Sequence, residues 1–220
     1  PNGDLIRVEK WVMGELQEGA TETAKIEIKQ ELNPKNGKLA FKGAYRDGQP
    51  VGVHRFYNDE GKVDSSVIYE DGLILYEGIV DEQGRKQGPW KIYYRSGALK
   101  ARGSYKNDLK VGTWKYFLED GSLEQTGSYI SGKPDGLWTW YFPNGELWRE
   151  EEYVMGLEDG VSTEYNDTGA VIAQGEYISG FKEGKWFFQM NDHREEGKFF
   201  EGERTGEWKH FYLDTHNLRF

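Results

Sequence analysis

The sequence predicts an all-β protein, an elongated single antiparallel meander of stacked β-hairpin repeats with about 24 residues to the repeat and roughly 15 strands. Three observations predict it. Glycines recur at a fixed step: Gly97, Gly121, Gly145 and Gly169 stand 24 residues apart, and so do Gly88, Gly112, Gly136, Gly160 and Gly184. The segments between them alternate in period two, as half-buried strands do. The apolar content is 36%, and aromatics alone make up 15% of the chain, so its core must be built from rings, not from the aliphatic interior of an α/β enzyme. A fixed period of this length marks an array in which each unit buries its apolar face against its neighbours.

Read in order, residues 1–220 form one array. Residues 3–36 are a divergent first repeat, whose opening "NGDLIRVEKWVMG" matches "NGELWREEEYVMG" at Asn144 to Gly156 and whose insertion is largely "TAKIEIKQEL". Residues 37–212 are regular repeats, with an insertion within 61–96 around "DGLILYEG". Residues 213–220, "LDTHNLRF", leave the pattern and read as a C-terminal cap. Fifteen strands at ~4.8 Å spacing would extend roughly 70 Å.

The unit Gly121 to Gly145, "GSLEQTGSYISGKPDGLWTWYFPNG", shows why each element is expected. In its first segment Leu123, Gly127 and Tyr129 share one face, and Ser122, Glu124, Thr126 and Ser128 the other. In its second, Trp138, Trp140 and Phe142 share a face. The joining segments "ISGKPDG" and "PNG" hold residues that accept positive φ in tight hairpins. Glycine inside a strand costs entropy and packs nothing, so Gly43, Gly103, Gly127 and Gly175 call for a reason. Clearance supplies one: a ring from the neighbouring strand, such as Trp114, Trp138 or Trp186, can cross the bare backbone. Trp90, Trp114, Trp138, Trp186 and Trp208 are expected along one face as the core.

The candidate binding residues are Tyr57, Tyr93, Phe117, Tyr141, Tyr165 and Phe211, each five residues after the glycine taken to end a turn. Strict alternation points them away from the tryptophans, as a ladder with members ~9.6 Å apart flanked by Lys91 and Lys115. Exposed apolar stripes mark binding sites. The alternative is a bulge near each turn that returns these rings to the core.

The grammar G-x-Y-x-x-G-x-x-x-G-x-W-x-x-Y resembles the bacterial variant of the MORN repeat, over roughly Gly37 to Tyr212 with six units in register. The resemblance implies an elongated, twisted sheet of hairpins and a non-enzymatic scaffold for protein–protein interaction; bacterial members of this variant are often labelled antitoxin or immunity proteins. Three positions depart from it: Ser162 and Glu164 stand where aromatics are expected, and His54 takes a tryptophan position. The alternative function is a carbohydrate or cell-envelope binder of choline type, since aromatics from adjacent hairpins can cage a quaternary ammonium.

Composition narrows the rest. With no cysteine, disulfides, thiol catalysis and cysteine-ligated zinc are excluded. His54, His193, His210 and His216 fall in different repeats with no ligand spacing, and no nucleophile-elbow, Walker or dinucleotide motif occurs. No catalytic residue, metal site or cofactor is therefore expected. A net charge of −10 disfavours nucleic acid and favours a basic or neutral protein partner. No window is long and apolar enough to span a bilayer as a helix. The chain as given is expected to be soluble, either cytoplasmic or exported after loss of a leader, since it starts at Pro1.

Overall fold

The computed structural model describes residues 26–190 and 193–212 in full and, at the backbone, two short pairs nearer the start. The internal match at residues 2–14, His216 and the cap at 213–220 fall largely or wholly outside the described residues. The two short pairs, β1 (Trp11–Val12) and β2 (Glu15–Leu16), form a two-residue antiparallel ladder.

The chain divides into two compact units, Pro1–Leu73 and Ile74–Phe220. In the first, β3 (Ile26–Leu32), β4 (Leu39–Arg46), β5 (Gln49–Tyr57) and β6 (Val63–Glu70) pair antiparallel in chain order. The second takes all but the first residue of β7 (Leu73–Val80), which pairs with β8 (Lys86–Tyr93). It continues through β9 (Leu99–Lys106), β10 (Leu109–Phe117), β11 (Leu123–Ile130) and β12 (Lys133–Tyr141). Next come β13 (Leu147–Val154), β14 (Leu157–Tyr165), β15 (Val171–Ile178) and β16 (Phe181–Met190). The last two strands are β17 (His193–Phe200) and β18 (Glu203–Tyr212). The fold is thus all-β, an open antiparallel meander with no crossover. Among the described residues there are sixteen long strands, in line with the roughly fifteen expected, and the insertion within 61–96 contributes one of them, β7. No helix of the described residues is long and apolar enough to cross a membrane.

Two kinds of turn alternate. Ser131–Gly132, Met155–Gly156 and Ser179–Gly180 have positive φ at both positions, the requirement of the two-residue hairpin turn whose twist matches its strands. Most of the other turns are closed by an Asx side chain, with Ser96 in its place in the Tyr94–Ala98 turn: the Asn166 carboxamide oxygen accepts from the backbone N–H of Thr168 at 3.1 Å and of Ala170 at 2.9 Å.

The glycine two residues before each core tryptophan, expected in a turn, lies elsewhere. Gly136 sits inside β12, and its counterpart Gly112, at φ 64°, sits inside β10. The register against β9 slips between Val111 and Lys115, so three residues of β10 oppose one of β9. This is a bulge that needs the left-handed backbone glycine adopts freely. It lifts the strand so that the ring two residues later crosses its neighbour.

That crossing makes the core. Trp114 and Trp138 are 0% and 4% exposed, and a Cβ added at Gly103 or Gly127 would fall inside their rings. Trp90, Trp186 and Trp208 cross Gly78, Gly175 and Gly197 in the same manner. Four of these indoles are also anchored: Trp114 Nε1 donates to Ser104 O at 3.1 Å and Trp138 Nε1 to Ser128 O at 3.2 Å, with Trp90 and Trp186 bonded likewise to Gln87 O and Glu176 O, whereas the buried Trp208 Nε1 has no partner among the described residues. In the first unit His54, 3% exposed, lies across Gly43 and donates from Nε2 to Ala44 O at 2.8 Å. The imidazole keeps the tryptophan's seat and its hydrogen bond.

The β13–β14 repeat is built differently. Ser162 stands in the tryptophan position and pairs in register with Glu151, which stands where other repeats have glycine. Glu151 is 1% exposed. It accepts from Ser162 Oγ at 3.2 Å, Tyr153 OH at 2.7 Å and the Arg149 guanidinium, which also approaches Glu164 at 3.8 Å. A large ring over a bare backbone is replaced by a small hydroxyl beside a carboxylate that fills the ring's place.

Candidate interaction face

Antiparallel residues directly opposite share a face, so the register fixes the surroundings of each candidate ring. Tyr93 pairs with Leu99, Phe117 with Leu123, Tyr141 with Leu147 and Tyr165 with Val171. In the first unit Tyr57 pairs with Val63. Each pair follows a one-residue slip; between β10 and β11, Tyr116 faces Gln125 and Phe117 faces Leu123, leaving Glu124 as the extra residue. The bulge therefore lies on the partner strand. It does not return the rings to the tryptophan face. It carries Leu123 away from the face of Gly127 and Tyr129, where alternation had placed it, and round to Phe117.

The ladder is half-buried, not freely exposed as strict alternation suggested. Tyr57, Tyr93, Phe117, Tyr141 and Tyr165 are each partly covered, and Phe211 in β18 is 43% exposed. Their polar edges are engaged. Tyr93 OH donates to Glu77 Oε2 at 2.8 Å, and Tyr165 OH to Glu150 Oε2 at 2.9 Å. Tyr141 OH accepts from Thr139 Oγ1 at 3.3 Å. Burial, reinforced by the Glu77 carboxylate, pushes the Tyr93 phenol up to about 12. Burial and Glu150 move Tyr165 the same way.

Beside the rings runs a polar row with a basic end. Lys91 faces Arg102, and Arg102 faces Lys115. Cations placed directly opposite one another disfavour the sheet, and the structure offsets them only in part: Lys91 reaches Glu77 at 3.4 Å, and Arg102 lies 5.7 Å from the Phe117 ring centroid. Beyond Lys115 the row turns neutral at Thr126 and Thr139 before reaching Glu150. Near β18 an open depression of about 830 Å³ has a mixed-charge lining, in which Lys185, Phe187, Arg194, Lys198 and Lys209 stand among Glu176, Glu196 and Glu207. There Arg194 covers the Phe187 ring at 4.2 Å and faces Phe211 in register.

Two residues of this face escape a reading by alternation alone. Arg102 completes the basic row, but only strand register sets it between Lys91 and Lys115. Trp148, 42% exposed, is the residue skipped between the pairs Tyr141–Leu147 and Trp140–Arg149, and it packs on Phe142 at 6.0 Å. Of the histidines, His54 is core, whereas His193 and His210 flank Glu195 at 3.8 Å and 3.3 Å. Among the described residues no group of three or more His, Cys, Asp or Glu could hold a metal ion.

No curated protein matches the chain. Among solved structures, the crystal structure of a GtfA/B complex bound to UDP and GlcNAc aligns at 13% identity, covering 58% of this chain and 23% of that one. Its TM-score of 0.26 is too low to bear on fold or function. Residues 86–107, 110–131 and 134–155 match the family model of the MORN repeat variant, so three consecutive hairpins, from β8 to the turn after β13, are similar to that interaction repeat.

Proposed function

We propose that the protein is a non-enzymatic scaffold that binds a protein partner through the ladder face, as an antitoxin or immunity protein binds its target. The observation that carries this reading is the register row Tyr93, Phe117, Tyr141 and Tyr165 with its Leu and Val partners. It is a half-buried apolar stripe on one sheet face, bordered by charge. Stripes of this kind gain by being covered, and bordering charges set orientation and encounter rate more than affinity. The net charge of −10 favours a basic or neutral partner overall, while the segment docking beside Lys91, Arg102 and Lys115 is acidic.

Affinity capture from the native cell tests the reading, with the wild type compared against Phe117→Ala/Lys115→Glu and against Lys182→Met on the opposite face. The expected result is one protein retained by the wild type and by Lys182→Met, and lost by the double variant with its fold intact by circular dichroism. Retention by all three would place the interface elsewhere.

A further inference from the structure

The tryptophan face carries a second pattern. Four residues before the tryptophan position, the second unit has Lys86, Lys110, Lys182 and Arg204 in four of its six repeats. Each of these cations lies against the rings of its own repeat. The Lys110 ammonium stands 4.6, 5.1 and 5.0 Å from the centroids of Trp114, Tyr116 and Tyr129, and it donates to Tyr116 OH at 2.7 Å. Lys182 stands 4.6, 4.9 and 5.4 Å from Trp186, Phe188 and Phe199. Burial holds both lysines below the usual amine range, and the ring faces recover part of that cost through cation–π attraction.

In the β12 repeat the same position is Pro134, which brings no cation. The rings are nevertheless in place. Trp138 lies 6.0 Å from Trp140 at 35° and 6.3 Å from Tyr153 at 70°. In the Lys110 cage, Trp114 lies 6.0 Å from Tyr116 at 29° and 6.3 Å from Tyr129 at 84°. The two cages have nearly the same dimensions, and only one has a lysine of its own.

The surroundings favour a cation. Glu158 holds the lysine position of the following repeat, and Tyr153 OH donates to Glu151 at 2.7 Å. Burial, with Glu151 and Glu158 close by, raises the Tyr153 phenol, which therefore remains a neutral wall of the cage. Arg149 is the one cation of this repeat near the rings, 5.3 Å from the Trp140 centroid. It is drawn to the flank by Glu151 and Glu164 and does not take the central place that Lys110 has among three rings.

We propose that Trp138, Trp140 and Tyr153 form a receptor cage for a quaternary ammonium group from outside the chain. The preference over a primary amine follows from one substitution. Trp140 stands where the Lys110 cage has Tyr116, whose hydroxyl accepts the lysine N–H. The indole offers a wider face and no acceptor at that corner, so the cage lacks the hydroxyl that meets the Lys110 ammonium and favours a cation with no N–H to place there. The site lies on the face opposite the ladder and does not depend on the scaffold reading.

The test follows the indole N–H resonances of Trp138 and Trp140 by NMR during titration with tetramethylammonium, choline and butylammonium at constant ionic strength. Saturable shifts are expected with tetramethylammonium and choline, at least tenfold weaker with butylammonium. Pro134→Lys, which supplies the cage with its own ammonium, should weaken tetramethylammonium binding at least tenfold at an undiminished melting temperature. Trp140→Ala gives a second route to the same loss should Pro134→Lys fail to fold. Equal shifts in wild type and variants, or no saturation with any of the three, overturn the site. Tighter binding of butylammonium overturns the quaternary assignment.

Discussion

In the β11–β12 hairpin a tryptophan lies over a glycine, and in the β13–β14 hairpin a serine faces a glutamate at the equivalent positions. Trp138 and Glu151 are both almost fully buried, at 4% and 1% exposed. The first hairpin fills its centre with a ring that needs bare backbone beneath it. The second fills the same volume from the other strand, with a carboxylate that needs Ser162, Tyr153 and Arg149 around it. The difference shows that the repeat conserves occupied volume between two strands and leaves open which strand supplies it. It also shows the cost of each solution, since a ring tolerates no Cβ below it, and a buried carboxylate tolerates no lost partner.

The largest expected effect is at the ring. Gly127→Val places carbon atoms where the Trp138 indole lies and should destabilise the protein by about 3–5 kcal/mol, on the scale of Trp138→Ala itself. Denaturant unfolding reads both, and a neutral Gly127→Val would break the comparison at its root. Next come the exchanges in the glutamate hairpin. Glu151→Gly strands the half-buried Arg149 and leaves a void, at about 3 kcal/mol. Ser162→Trp alone should be as damaging, because the ring has no bare backbone to cross. The double variant rebuilds the tryptophan–glycine pair and should return to within about 1 kcal/mol of wild type, a coupling above the range seen for independent sites. Additive losses would mean that the two hairpins are not alternative fillings of one space.

The smallest effect is a pH dependence on the ladder face. The Tyr93 phenol is raised from its ordinary 10 to about 12 by burial and by Glu77. Above pH 10 the unfolded chain releases this proton while the folded one holds it. The contribution of Tyr93 is therefore whole below pH 10 and is lost as pH rises towards 12. The phenolate absorbance difference between wild type and Tyr93→Phe should show the late inflection, and Glu77→Gln should move it down. An inflection at the ordinary value in wild type would mean that the Tyr93–Glu77 contact does not persist in solution.

The sequence alone determined the all-β repeat and the crossing of Trp114, Trp138 and Trp186 over Gly103, Gly127 and Gly175, because both are local rules repeated in register. A period repeated along the chain can be read without knowing what touches what. Tertiary structure decided what depends on strand register. It set Gly112 and Gly136 inside bulges, brought Leu123 round to Phe117, aligned Arg102 between Lys91 and Lys115, and joined Glu151 to Ser162. A bulge shifts pairing by one residue, and a one-residue shift exchanges the faces of a strand. Alternation counted along the chain therefore loses its phase at each bulge, and only the paired strands restore it.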